Sequence, residues 1–208
     1  RRALVNIASE RGLLVLEDDP YGALSYKGDA LPSLHSLNPD AVVYMGSFSK
    51  VLAPGLRVGF LIAPEALHRK LVQAKQAADL HTPSFTQRIV YETIKDGFLD
   101  EHIPLIRKLY ADRCNVMLDA MSRHFPTGIE WNRPEGGMFI WVKLPSSLDS
   151  RVLLEQAIAE NIAFVPGAPF FANEPQPNTL RLSFVTVPPE RIEKGIAILG
   201  ALLARALR

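Results

Sequence analysis

The stretch GSFSKVLAPGLRVGF, residues 46–60, sets Lys50 and Arg57 on either side of a Pro-Gly turn, with Ser47 and Ser49 just upstream. Nearer the amino end, LEDDPYG places Asp18 and Tyr21 in a D-x-x-Y spacing. An acid, an amine, a guanidinium and two hydroxyls suit an anionic, phosphate-bearing ligand with an electrophilic carbonyl. Arg57 offers a planar fork of donors for phosphate, and the serines add neutral ones. A partly desolvated lysine near cationic groups has a lowered pKa and can form a Schiff base. A carboxylate can keep a pyridinium nitrogen protonated, so that the ring remains an electron sink.

These side chains need elements that gather them. Residues 13–16 (LLVL) and 41–46 (AVVYMG) are continuous apolar runs, suited to strands buried on both faces of a parallel sheet. RVGFLIAP, residues 57–64, is a third. The loop between the second and third runs is about ten residues, short of the dozen or more that a parallel return needs, so the third strand should run antiparallel. Lys50 and Arg57 then share one sheet edge. Asp18 joins them if the first two strands are parallel. In open α/β sheets ligands sit at that edge. On the strand, Glu17 and Asp19 should face away from Asp18.

The rest reads as α/β. Residues 1–12 form a helix with Leu4, Ile7 and Ala8 on one face and Gly12 as its stop; with no initiator Met, the chain reads as the C-terminal part of something longer. Helical patterns cover about 65–80, 86–95 and 103–125. GIEWNRPEGGMFIWVKLP reads as two strands about a glycine turn, Gly136-Gly137. A helix over about 151–161 is followed by strands at AFVP and TLRLSFV. The last helix opens at Pro188-Pro189 and puts Ile192, Ile196, Leu199 and Leu203 on one face. The expected organisation is the rear of a large α/β domain over 1–100, a connecting helix over 101–125, and a small α/β domain over 126–208.

Composition narrows the function. Charges balance at 23 basic against 22 acidic residues, so no basic excess calls for nucleic acid or an anionic membrane. No apolar run reaches the length of a membrane span, and no signal peptide opens the chain. The single cysteine, Cys114, fits a reducing, cytoplasmic setting and lies on a helical stripe with Ile106, Tyr110, Met117 and Met121, as a core thiol would. His35, His68, His81, His102 and His124 show no metal-ligand spacing. Neither G-x-G-x-x-G nor a P-loop is present.

EDDPYG, GSFSKVLAPGLRVGF, GGMFIWVKLP, VPGAPFF and TLRLSF, in this order, resemble the C-terminal half of class I aminotransferases. These are pyridoxal-phosphate enzymes of the aspartate aminotransferase fold (fold type I), and the similarity points to the aminoadipate and kynurenine aminotransferase-like branch. Any one motif is weak; five in order over essentially the whole chain are strong. The resemblance implies that Lys50 forms the Schiff base with pyridoxal 5'-phosphate and shuttles the proton between substrate Cα and the cofactor. It implies that Asp18 pairs with the pyridine nitrogen, that Tyr21 hydrogen-bonds the ring oxygen, and that Ser47, Ser49 and Arg57 bind the phosphate. For the serines, plain turn capping is the competing role. Arg181, charged on an apolar strand, either faces solvent on an edge strand or has an anion to bind; by the resemblance it matches the arginine that grips the substrate α-carboxylate. Gly136-Gly137 and Pro166-Gly167 would approach the site.

The implied activity is transfer of an amino group from an amino acid to a 2-oxo acid, with 2-oxoglutarate the expected acceptor, in a homodimer. The alternatives are a pyridoxal-phosphate-binding effector domain of a bacterial transcription regulator, or a related lyase. The family's upstream half supplies a phosphate loop, a ring-stacking aromatic and an asparagine. Without these, the chain alone is expected to be inactive, poorly soluble and uncovered along an apolar sheet edge.

Overall fold

The computed structural model describes residues 1–26 and 31–208. They form two compact units, Arg1–Ile106 and Arg107–Arg208.

In the first unit, helix α1 (Arg2–Glu10) leads to strand β1 (Val15–Asp18), a one-turn helix α2 (Leu34–Leu37), β2 (Val42–Ser47) and β3 (Gly59–Ile62). The sheet order is β1-β2-β3. β1 and β2 are parallel, with Asp18 beside Met45; β2 and β3 are antiparallel, with Ser47 beside Gly59. This is the arrangement that the short loop requires. Helices α3 (Glu65–Asp79) and α4 (Ser84–Ile94) follow. Gly12, at φ +61, takes the left-handed backbone that ends α1.

Two expectations need correction here. α1 buries Val5 and Ala8, while Leu4 and Ile7 are exposed. Val5 packs with Leu34 and Val42 in a small cluster, and the helix turns that stripe inward because α2 and β2 lie there. β1 is covered on one face only: Leu16 is 65% exposed, whereas Glu17, on the opposite face, is 7% exposed. Leu13 and Leu14 lie outside the strand and are exposed.

Glu17 is buried because it has partners. Its carboxylate accepts the Leu34 N–H at 2.8 Å, the His35 N–H at 3.0 Å and Arg1 Nη1 at 2.8 Å. An anion at a helix start satisfies orphan donors. Ser33 adds an N-cap, accepting the Ser36 N–H.

The long helix α5 (Phe98–His124) begins a turn before the expected start. The second unit is an antiparallel sheet in the order β4-β5-β7-β6, from β4 (Glu130–Trp131), β5 (Phe139–Lys143), β6 (Val165–Pro166) and β7 (Thr179–Ser183), with α6 (Ser150–Ala159) and α7 (Pro189–Ala206). Ile140 lies opposite Leu182 and Val142 opposite Leu180, and all four are buried. α7 buries Ile192, Ile196, Leu199 and Leu203, the stripe expected of it, and packs against α6. Cys114 is buried on α5 with Met117 and Met121, and burial pushes its thiol pKa up, as for an inert core thiol.

Candidate active site

The residues with chemical potential in the first unit collect at one rim of the β1-β2-β3 sheet. β1 and β2 end there and β3 begins there, so Asp18, Ser47, Lys50 and Arg57 sit at one edge by register alone. The Asp19 N–H donates to the Met45 carbonyl at 3.0 Å and holds β1's exit against β2. Tyr21 starts a 3-10 turn over residues 22–24, and Lys50 Nζ lies 6.0 Å from the centre of its ring. The lysine and the tyrosine, 29 positions apart in the numbering, thus meet.

The loop that carries Lys50 is folded by its own backbone. The Leu52 and Ala53 N–H groups both donate to the Phe48 carbonyl, and the Phe48 N–H donates to Val58 across the loop's base. The Ser49 N–H donates to Ser47 Oγ at 3.1 Å, so Ser47 does cap the turn; its own O–H remains a donor for a ligand. Arg57 adopts φ 54, ψ 37, a left-handed conformation uncommon for a residue with a Cβ. Its guanidinium is exposed and donates to the Pro54 carbonyl at 3.3 Å. Asp18 is exposed at the strand end, half a pleat from buried Glu17.

Two glycines belong to this rim for steric reasons. A Cβ on Gly46 would meet the Phe60 ring at 2.4 Å, and one on Gly22 would meet the Asp19 carboxylate at 2.2 Å. Asp19 also accepts the Tyr44 hydroxyl at 3.3 Å; burial, then the Asp19 charge, raise the Tyr44 pKa. No motif singles out Asp19 or Tyr44, because nothing in their spacing distinguishes a turn brace from solvated residues.

Arg181 is in the second unit, on β7. It lies opposite Trp141 on one side and Val165 on the other. Its guanidinium carbon is 3.9 Å from the Phe139 ring centre and 4.8 Å from that of Phe170, and its Nε is buried without a hydrogen-bond partner. Gly137, at φ +78, turns the chain into β5, consistent with a glycine turn at Gly136-Gly137. A cleft of about 480 Å³ in the second unit, bounded by Met117, Asn161, Thr186, Arg191 and Leu199 among others, includes none of these site residues. No group of side chains among the described residues could hold a metal ion, and no described helix is long and apolar enough to cross a membrane.

A mixed sheet followed by a small antiparallel α/β unit is the fold-type I arrangement of the solved structures this chain superposes on. The family model for aminotransferase class I and II matches residues 2–199, and the chain belongs to that family. It is 49% identical over 208 residues to the 2-aminoadipate transaminase of Thermus thermophilus, with 98% of this chain and 52% of that protein covered. Aromatic-amino-acid aminotransferase 1 of Thermococcus litoralis is 41% identical, with 100% and 50% covered. Among solved structures, LysN, the α-aminoadipate aminotransferase of Thermus thermophilus, complexed with N-(5'-phosphopyridoxyl)-L-leucine, superposes with a TM-score of 0.94. It shares 48% identity, over 99% of this chain and 54% of that one. The chain thus spans about half the length of the curated relatives it matches.

Proposed function

We propose that this chain carries the lysine-bearing half of a pyridoxal-phosphate aminotransferase active site, transferring an amino group from an amino acid to a 2-oxo acid. The observation that carries the reading is the meeting of Lys50 with Tyr21 at the rim that also holds Asp18, Ser47 and Arg57. That donor set fits the group: an amine for an aldehyde, a carboxylate for a ring nitrogen, a phenol for a ring oxygen, and hydroxyls with a guanidinium for a phosphate. The phosphopyridoxyl ligand of LysN, a relative at 48% identity, supports the choice. Bound pyridoxal phosphate supplies an electrophilic carbon and an electron-withdrawing ring.

The chain's own residues do the rest. Lys50 would hold the group through its amine and, with that amine free, would take up and return the proton of the substrate Cα. Asp18 would pair with the ring nitrogen. Ser47, Ser49 and Arg57 fix the phosphate end, so the reacting end is held in one place. Arg181 receives the substrate α-carboxylate as a bidentate partner. The acceptor is 2-oxoglutarate. The relatives' remaining length covers the exposed sheet faces, and a second copy completes each site as a homodimer; without them the chain is inactive.

The test is borohydride reduction of the complete protein with pyridoxal phosphate, followed by peptide mass mapping. The expected result is one reduced adduct, on Lys50, absent in Lys50→Ala and still present in Arg181→Ala. A folded protein that gives no adduct at Lys50 ends this reading.

A further inference from the structure

Arg181 is held in an unusual way for a strand arginine. Its cross-strand neighbours, Trp141 and Val165, give its guanidinium no acceptor, and Nε is buried without one. What the guanidinium does meet is aromatic: Phe139, from its own sheet, and Phe170, from a 3-10 turn over residues 168–170. That turn is stitched to β7 two residues before Arg181. The Gly167 N–H donates to the Thr179 carbonyl at 2.7 Å, and a Cβ on Gly167 would meet Thr179 Oγ1 at 2.0 Å. Only a glycine lets the turn come this close. Phe170 is braced in turn by Trp141, whose ring stands edge-on to it at 5.5 Å. Yet Phe170 is half exposed, so it is not there to fill a core.

We propose that Phe170 is a positioning residue for substrate binding. With Phe139 it holds the Arg181 guanidinium by cation–π contact. Ring faces attract the cation without occupying its N–H donors. The charge is therefore steadied while its Nη donors remain available to a carboxylate, which an acidic side-chain partner would have consumed. The same contact takes the place of water over part of the cation, so the incoming carboxylate displaces less solvent. This rests on the reading of Arg181 as the carboxylate grip.

The test uses the complete holoenzyme with Phe170→Leu, Phe170→Tyr and Arg181→Lys. Loss of one cation–π contact predicts that Phe170→Leu raises KM for the amino acid by about 3- to 30-fold at nearly constant kcat, while Phe170→Tyr stays near wild type. Binding of succinate, a non-reacting carboxylic acid, measured by calorimetry, should weaken by the same factor. Reaction with an amine lacking the α-carboxylate should not change. An unchanged KM and succinate affinity in Phe170→Leu would overturn the inference, as would an equal loss with the carboxylate-free amine. If Arg181→Lys also leaves KM and succinate affinity unchanged, the carboxylate role of Arg181 itself has failed; if only the Phe170 variants are silent, that role stands and the aromatic hold does not.

Discussion

The two units of this chain treat apolar side chains in opposite ways. In the second, Phe184, Leu180, Ile140, Met121 and Leu203 are fully buried, and the central strands β5 and β7 pair through buried residues. In the first, all four residues of β3 are exposed, α3 buries none of its residues, and Phe85 is 78% exposed. Composition does not distinguish them; the surfaces available for packing do. An apolar strand declares that it needs a partner, not that the partner is in the same segment, and this chain spans about half the length of its relatives. The lysine-bearing rim stands on the sparsely covered unit and Arg181 on the packed one.

The largest expected effects come from core deletions, which should hurt the two units unequally. Phe184→Ala removes a fully buried ring and should cost about 3–5 kcal/mol. Leu61→Ala in β3, already 45% exposed, should cost within about 0.5 kcal/mol. Trp131 and Trp141, the chain's two tryptophans, both lie in the second unit, so urea unfolding followed by their fluorescence reads Phe184→Ala, while hydrogen exchange of the paired β2 and β3 amides reads Leu61→Ala in the first unit. With this chain by itself, equal losses would break the comparison, showing that β3 finds its cover within these residues.

Glycine replacements sharpen it. A Cβ at Gly200 would sit 2.3 Å from the His124 carbonyl oxygen, where backbone must move, so Gly200→Ala should cost about 1–3 kcal/mol or more. At Gly46 the obstacle is the Phe60 ring at 2.4 Å, the far end of a side chain already 43% exposed. The ring can swing away, and Gly46→Ala should lower the melting temperature far less. A larger loss at Gly46 would mean that Phe60, which lies by Tyr44 and Phe48, is pinned.

These contrasts also explain what could be read in advance. The rim was legible because a loop too short for a crossover forces β3 to return antiparallel, and that places Lys50 and Arg57 together without any knowledge of side chains. The inward face of α1 was not. Leu4 and Ile7 form as good an apolar stripe as Val5 and Ala8, and only the position of Leu34 and Val42 decides between them. α2 escaped notice because four residues carry no periodicity. The burial of Glu17 escaped for the same reason, since its partners are backbone donors of that turn. Phe170 could not be found from sequence: nothing in VPGAPFF says that a phenyl ring folds back over a strand arginine.

Glu17 offers a smaller test inside the first unit. Glu17→Ala strips the Leu34 and His35 N–H groups of their acceptor, at a cost of about 1–3 kcal/mol. Hydrogen exchange should show those two amides losing protection, with Glu17→Gln intermediate because one oxygen remains. If protection persists in Glu17→Ala, Ser33 and water suffice to start α2, and the buried acid is not what joins it to β1.

The smallest effect expected is electrostatic and belongs to the second unit. Glu193 on α7 accepts from Arg123 and, at 2.8 Å, from His124 Nε2, both in the last turn of α5. The hydrogen bond with His124, then that with Arg123, hold its carboxyl below the ordinary 4.5. A group whose pKa is lower folded than unfolded stabilises the fold above its unfolded value and loses that contribution as pH falls through the folded one. The tryptophan-detected melting temperature should therefore carry no Glu193 contribution to its slope above pH 4.5 and should fall below it. Glu193→Gln should flatten that acid limb, and so should about 1 M salt, because the carboxylate is exposed and screening reaches it. An acid limb unchanged by both treatments would assign the loss to the core, and α5 would then be joined to α7 by packing alone.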